Sequence, residues 1–296
     1  MPKISACLVT WNEEKNIERS INSVKPYVDE IIVVDMGSDR TEALSRQLGA
    51  KVYKHKYTGF VEPARNFGIK KATGDWIFIL DADEEITPGL GEKLRLLANG
   101  SPTFYEIARK NIIFGRWIKY TRYWPDYIIR FFKKGSVSWP NQIHRQPNPE
   151  GERGKVGAQE DCSIIHHHYQ SIGQFVERLN RYTDHQLELL IETKKFTWLS
   201  LVRAPVDEFV SRFYFGEGYK DGLHGLAISL LQATSELVLH LKYWEHMKFT
   251  SIEPSTEFKK QTEAEIGSSV KKLYYWKAST GNLVQKIKSK LVDLFV

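Results

Sequence analysis

A chain of 296 residues with a formal net charge of +6 and a pI near 9.0 can bury one substantial α/β core with an appendage, and its charge allows anionic partners. Its two cysteines, Cys7 and Cys162, exclude a disulfide framework and a Cys-rich zinc site and fit a reducing cytoplasm. The opening Met1-Pro2-Lys3-Ile4-Ser5 runs straight into a strand pattern without the apolar region and cleavage site of a signal peptide, so no export is expected.

Ile4 to Val9 reads as a short apolar strand, and Glu13 to Val24 as a helix, with Ile17, Ile21 and Val24 at helical spacing after an Asn12 cap. Ile31-Ile32-Val33-Val34 forms a second buried strand ending at Asp35. Asp39 to Glu42 then has the form of a capping box before a helix that stops at Gly49. A third strand is expected around Lys51 to Tyr53, and Glu62 to Lys71 reads as a helix closed by Thr73-Gly74. Strand and helix therefore alternate through the first hundred residues, as in a mostly parallel sheet with helices on both faces. From about Phe104 the pattern turns to antiparallel pieces, Tyr127 to Phe132 and Ser136 to Trp139 about a Lys134-Gly135 turn, and residues 146 to 161 read as a surface loop. Helical patterns dominate after His166-His167-His168.

The fourth strand, Trp76 to Leu80, leads into Asp81-Ala82-Asp83-Glu84-Glu85. Its continuous apolar run suits a strand buried on both faces, and ligands of open α/β sheets bind outside the carboxyl ends of such strands. Carboxylates crowded there repel one another, so a cation is expected among them, and oxygen ligands select a hard divalent ion such as Mg²⁺ or Mn²⁺. The bland alternative is an acidic first turn of the next helix. Thr87 as N-cap and Pro88 at the first helical position supply a better start and leave the acids in the preceding loop. Asp35, at a separate strand end, can accept bonds from a base or ribose or merely cap a turn, and Arg65 can reach phosphate or remain a solvated surface residue.

Four blocks now stand in order: Val9-Thr10-Trp11-Asn12-Glu13-Glu14, Val33 to Thr41, Ala64-Arg65-Asn66, and Gly74-Asp75-Trp76 through Asp81-Ala82-Asp83-Glu84. Together they resemble the family 2 glycosyltransferases of the GT-A fold. Trp124-Pro125-Asp126-Tyr127, Arg130-Phe131-Phe132 and Ile143-His144 make the chain similar to the branch of lipopolysaccharide-core β-glucosyltransferases. The resemblance covers residues 1 to about 245. It implies a Rossmann-like GT-A catalytic domain over 1–185, with an antiparallel addition, and a helical C-terminal extension over 186–296. Thr10, Asn12, Glu13, Asp35, Arg65 and Asp81 would surround a nucleotide-sugar donor, a UDP-sugar being the first choice. Asp81 and Asp83 would hold the metal, with His144 as a third ligand or an acceptor contact, and Asp126, otherwise a turn residue after Pro125, would be the base that deprotonates a glycan or lipid-linked acceptor, with inversion and with no nucleic acid among the partners. The chain departs from the pattern twice. One residue is missing between Ser38 and Asp39, implying a tighter loop, and Arg145 follows His144 where the branch commonly has Glu.

Two other functions compete with this reading. A sugar-1-phosphate nucleotidyltransferase would carry a Gly-rich phosphate loop where this chain has Thr10-Trp11-Asn12-Glu13, and a non-catalytic glycan-binding or membrane-surface adaptor would have no need of Asp81 and Asp83. Gly222 to Ser235 lacks formal charge but is too short to span a bilayer. Aromatic and basic residues between Lys194 and Phe215 suit the inner face of the cytoplasmic membrane or a helical subdomain packed on the catalytic core or on another subunit, and the stripe Leu283, Ile287, Leu291 and Phe295 beside Lys286 and Lys290 suits that membrane or a partner helix in an oligomer.

Overall fold

The computed structural model describes residues 1–57, 62–140, 147–193, 197–251 and 255–280. Four parallel strands form one half of the main sheet: β1 (Ile4–Thr10), β2 (Glu30–Asp35), β3 (Lys51–Lys54) and β4 (Trp76–Asp81), in the spatial order β3-β2-β1-β4. Between them run α1 (Ile17–Val24), α2 (Thr41–Gln47) and α3 (Glu62–Lys71). Successive residues of a strand point to opposite faces, which explains why β1, β2 and β4 carry long apolar runs while the edge strand β3 has exposed lysines at both ends. Ile4, Ala6 and Leu8 of β1 join Ile17, Ile21 and Val24 of α1 in one buried cluster, whereas Cys7 and Val9 meet Ala64 and Ile69 of α3 in another. The sheet is thus covered by helices on both faces, as expected. Because the chain reaches β2 and β3 on one side of β1 and then returns to β4 on the other, the switch point lies between β1 and β4, the usual ligand crevice.

Beyond β4 come β5 (Glu84–Ile86), α4 (Pro88–Ala98), β6 (Phe104–Ile113), β7 (Arg116–Trp117), β8 (Asp126–Lys133), β9 (Val137–Ser138), β10 (Asn148–Pro149), β11 (Arg153–Lys155) and β12 (Ile164–Tyr169). The sheet continues in the order β4-β8-β6-β12-β5, with β8 antiparallel to β4 and to β6, which is the antiparallel addition read from the sequence. Leu90 and Leu94 of α4 are fully buried on the α1 face.

Four local expectations are corrected. The first helix begins at Ile17 rather than Glu13, because Asn12 adopts φ +57° and the Glu13 carbonyl accepts the N–H groups of Asn16 and Ile17, both at 2.9 Å. Part of the acidic stretch expected as loop forms β5, where Glu84 lies opposite His166 and Ile86 opposite Ile164. Residues 146–161 hold β10, paired with β9, and β11, which pairs with β6 through Arg153 opposite Phe104. Thr87 does precede the helix with Pro88 at its first turn, but its hydroxyl donates to the Asp161 carbonyl at 2.6 Å instead of capping.

The chain divides into two compact units, the first built from Met1–Ile112 and Tyr123–His168, the second from the described parts of Ile113–Arg122 and Tyr169–Val296. The second is helical: α5 (Ile172–Thr193), α6 (Ser200–Val210), α7 (Leu223–His246) and α8 (Thr256–Thr280). Within it, the buried Asp221 carboxylate accepts the Tyr120 N–H at 2.8 Å, and Arg203 of α6 grips Glu265 of α8 at 2.5 Å. Among the described residues, no helix is long and apolar enough to cross a membrane. The Leu283 to Phe295 stripe lies outside the described residues.

Candidate active site

The crevice is built from the ends of β1, β2 and β4. Thr10, the last residue of β1, pairs with Asp35, the last of β2, and donates its hydroxyl to Asp35 Oδ1 at 3.0 Å. Asp35 is fully buried, and its oxygens also accept the Gly37 N–H at 3.1 Å and the Lys54 ammonium at 2.7 Å. Lys54 further contacts Glu42 at 3.0 Å and the Gly37 carbonyl at 3.2 Å, and the hydrogen bond to Asp35 raises its pKa above the ordinary lysine value. Asn12 accepts the Ser38 N–H at 2.9 Å through Oδ1, and Thr41 Oγ1 accepts the Glu13 N–H at 2.9 Å. The β1 and β2 loops are thereby laced together. The approach is close: a Cβ on Gly37 would fall 2.6 Å from Asn12 N, so the glycine is a steric requirement.

At the end of β4, Asp81 takes Arg65 on Oδ1 at 2.6 Å and Arg130 on Oδ2. Glu84, fully buried, accepts the Asp81 N–H at 3.0 Å, Arg130 at 2.9 Å and Arg109 at 3.4 Å. The cations among these carboxylates are therefore guanidinium groups from α3, β6 and β8. Burial alone would raise the Asp81 carboxyl, but the charges of Arg130 and Arg65 hold it well below the usual carboxylate range. Burial would likewise lower Arg130, and Asp81 and Glu84 push it above the ordinary guanidinium value instead.

Arg109 extends the network to Asp126, the first residue of β8. Its Nε and Nη2 donate to Asp126 Oδ2 at 2.9 and 2.7 Å, and Asn111 Nδ2 donates to the same oxygen at 3.2 Å. Asn111 Oδ1 lies 2.7 Å from His166 Nδ1, and His166 Nε2 lies 3.6 Å from Asp83 Oδ2. His167 pairs with Glu85 at 2.8 Å. The sequence-derived residues thus fall into connected groups: Thr10 with Asp35, Asn12 and Glu13 with the loop after β2, and Arg65 with Asp81. Asp126 and Asp83 join through Asn111 and His166. His144 lies outside the described residues, and among those described no three His, Cys, Asp or Glu side chains form a metal-holding group.

Lys54, Arg109, Asn111 and Arg130 join the site without a motif that marks them, and the His166 tract is ambiguous in sequence. One signal was available. Arg130 interrupts the apolar run Ile128 to Phe132, and a cation in a buried strand demands a carboxylate partner.

A family model described as glycosyl transferase family 2 matches residues 5–185. A glycosyltransferase of Rickettsia typhi is 30% identical over 245 residues, covering 79% of this chain and 84% of that protein. The lipopolysaccharide core biosynthesis glycosyltransferase LpsC of Rhizobium meliloti is 25% identical over 265 residues, covering 83% of this chain and 94% of its own. Among solved structures, the mannosyltransferase PcManGT of Pyrobaculum calidifontis, in complex with GDP-Man and Mn²⁺, aligns over 92% of this chain and 87% of its own with a TM-score of 0.45 and 14% identity. The family match spans all four sequence blocks and the strands that carry them, and the chain belongs to glycosyl transferase family 2.

Proposed function

We propose that the protein is an inverting, metal-dependent glycosyltransferase that moves a sugar from a nucleotide-diphosphate donor, first a UDP-sugar, to a glycan or glycolipid acceptor. Cell-surface polysaccharide or lipopolysaccharide assembly at the inner face of the cytoplasmic membrane is the setting that the similarity to LpsC supports. Residues 1–185 would be the catalytic domain and 186–296 a helical extension. The observation that carries the reading is the unbroken ionic chain from Asp81, beside the switch point, through Arg130, Glu84 and Arg109 to Asp126.

Thr10, Asn12, Glu13 and Asp35 would line the nucleoside end of the crevice. Among the described residues, Arg65 and Arg130 each have an Nε–H without a hydrogen-bond partner, and their guanidinium groups would meet diphosphate oxygens. Asp81 and Asp83 would hold a hard divalent ion through carboxylate oxygens, beside His166, whose Nε2 faces Asp83 at 3.6 Å. When bound, Mg²⁺ or Mn²⁺ supplies Lewis-acid stabilisation of the departing diphosphate. Asp126 would take the acceptor hydroxyl proton. Arg109 and Asn111 all bond to its Oδ2, so Oδ1 is the oxygen that receives the proton. One base suffices, because the leaving diphosphate needs no protonation.

Thermal-shift screening of UDP-, GDP-, ADP- and dTDP-sugars with Mn²⁺ identifies the donor, because a ligand bound only to the native state raises apparent stability. With that donor, Asp83→Asn is expected to abolish metal-dependent turnover in a folded protein, and Asp126→Asn to lower kcat roughly a hundredfold with little change in donor KM. Retention of anomeric configuration in the product, read by NMR, defeats the inverting mechanism. A loss confined to donor affinity in Asp126→Asn moves the base elsewhere.

A further inference from the structure

Asn111 is an amide near the carboxyl end of β6, only 1% exposed, and all of its hydrogen-bonding faces are engaged. Its Nδ2 donates to the Tyr123 carbonyl and to Asp126 Oδ2, both at 3.2 Å. A carbonyl and a carboxylate only accept here, so the amide is fixed in one orientation and Oδ1 must face His166 Nδ1 at 2.7 Å. An acceptor at that distance requires a proton on Nδ1. The other ring nitrogen, Nε2, is then turned toward Asp83. Thus one side chain sets two others, the carboxylate that receives the acceptor proton and the imidazole that faces the metal-side aspartate.

We propose that Asn111 is a positioning residue for transfer: its single amide holds Asp126 with Oδ1 free for the incoming proton and holds His166 as the Nδ1–H form with Nε2 directed at Asp83. The inference rests on the glycosyltransferase reading for its kinetic consequences but not for its structural ones. Hydroxyl, aliphatic or carboxylate replacements cannot serve both neighbours, because only an amide of this length offers a donor and an acceptor on opposite edges. Asn111→Asp keeps the acceptor for His166 and places a carboxylate against Asp126 Oδ2. Asn111→Leu removes both bonds. The two variants therefore separate the Asp126 side from the His166 side.

The first measurement needs no variant of Asn111 and no turnover. In protein labelled with ¹⁵N at histidine, with the His166 signals assigned by their loss in His166→Gln, long-range ¹H–¹⁵N NMR is expected to show Nδ1 protonated. A deprotonated Nδ1 overturns the proposal whether or not the protein transfers sugar. Kinetics follow in the donor found by thermal shift. Asn111→Asp is expected to lower kcat at least roughly tenfold, the usual scale for a lost outer partner of a reacting group, with donor KM within twofold and the Nδ1–H signal retained. Asn111→Leu is expected to lose that signal and, in direct Mn²⁺ titration followed by electron paramagnetic resonance, to bind the ion roughly tenfold more weakly as well. Folded variants with wild-type kcat, or losses in donor KM alone, overturn the positioning role. A wild-type protein with the expected NMR signature but no turnover with any donor leaves this geometry standing and removes the glycosyltransferase reading instead.

Discussion

Arg130 donates through one nitrogen to both Asp81 and Glu84, and its side chain is almost wholly buried. Forming such a pair is nearly neutral, because desolvation offsets the attraction, but removing one partner leaves buried charge uncompensated. Arg130→Leu is therefore expected to lower folding stability by about 3–5 kcal/mol, read as a shift in the urea midpoint at unchanged slope. Replacing Arg130 and Glu84 together by apolar residues is expected to recover much of that loss. A single variant as stable as wild type removes Arg130 as the hub of the network.

At the scale of elements, Glu30 ties the amino-terminal ends of three strands. It accepts the Ser5 hydroxyl at 2.6 Å, the Thr73 N–H at 2.5 Å and the Lys51 ammonium at 2.9 Å. Burial opposes its charge, yet these bonds prevail and bring its pKa from 4.5 down to about 2. A carboxylate whose folded pKa is depressed adds stability above its unfolded pKa and loses it as pH falls through the folded one. The contribution of Glu30 is thus full above about pH 5 and fades between about 4.5 and 2. Denaturation of wild type and Glu30→Gln is expected to show a gap at pH 6 that narrows steadily toward pH 3. A gap that is constant with pH contradicts the linkage.

The same elements show why part of the molecule could be read from the chain and part could not. Ile31 to Asp35 and Trp76 to Asp81 are legible because a strand buried on both faces is apolar without interruption, and the carboxylate that ends each strand stands out. β5 was hidden for the opposite reason: Glu84 reads as solvated, and only arginines brought by strands 25 and 46 residues away make it buried. Arg109 and Asn111 lie two apart on one face of β6, a strand that also carries Glu106 and Lys110, and nothing local says which carboxylate or imidazole they meet. Asp126 stands out as a candidate through its motif. Its partners do not, because antiparallel register is a long-range property that turn residues alone do not specify.

For the whole molecule, the chain divides into a sheet unit and a helical unit, and the carboxyl-terminal region belongs to the helical one. Residues 266–296 carry six lysines against one aspartate. Basic residues beside an apolar stripe gain from headgroup charge and from burial of their side chains. Removing 266–296 is expected to weaken flotation with anionic liposomes while leaving the nucleotide-dependent thermal shift in place. No flotation of the intact protein, together with a truncation that turns oligomer into monomer on sizing, assigns the stripe to self-association.

Both oxygens of Asp81 are committed to guanidinium groups in the protein alone. A divalent ion that uses this carboxylate shares it with two arginines, and the positive charge gathered there is most readily offset by the anionic diphosphate of an arriving donor. Ion and donor should consequently be linked thermodynamically: each strengthens the other by one common factor, since a coupling free energy is reciprocal. Calorimetry with Mn²⁺ titrated into protein with and without nucleoside diphosphate, and nucleoside diphosphate titrated with and without Mn²⁺, is expected to close that square with a shared enhancement above tenfold, about 1.4 kcal/mol. Independent binding would mean that Asp81 serves as the anion that orders two cationic arms rather than as a ligand.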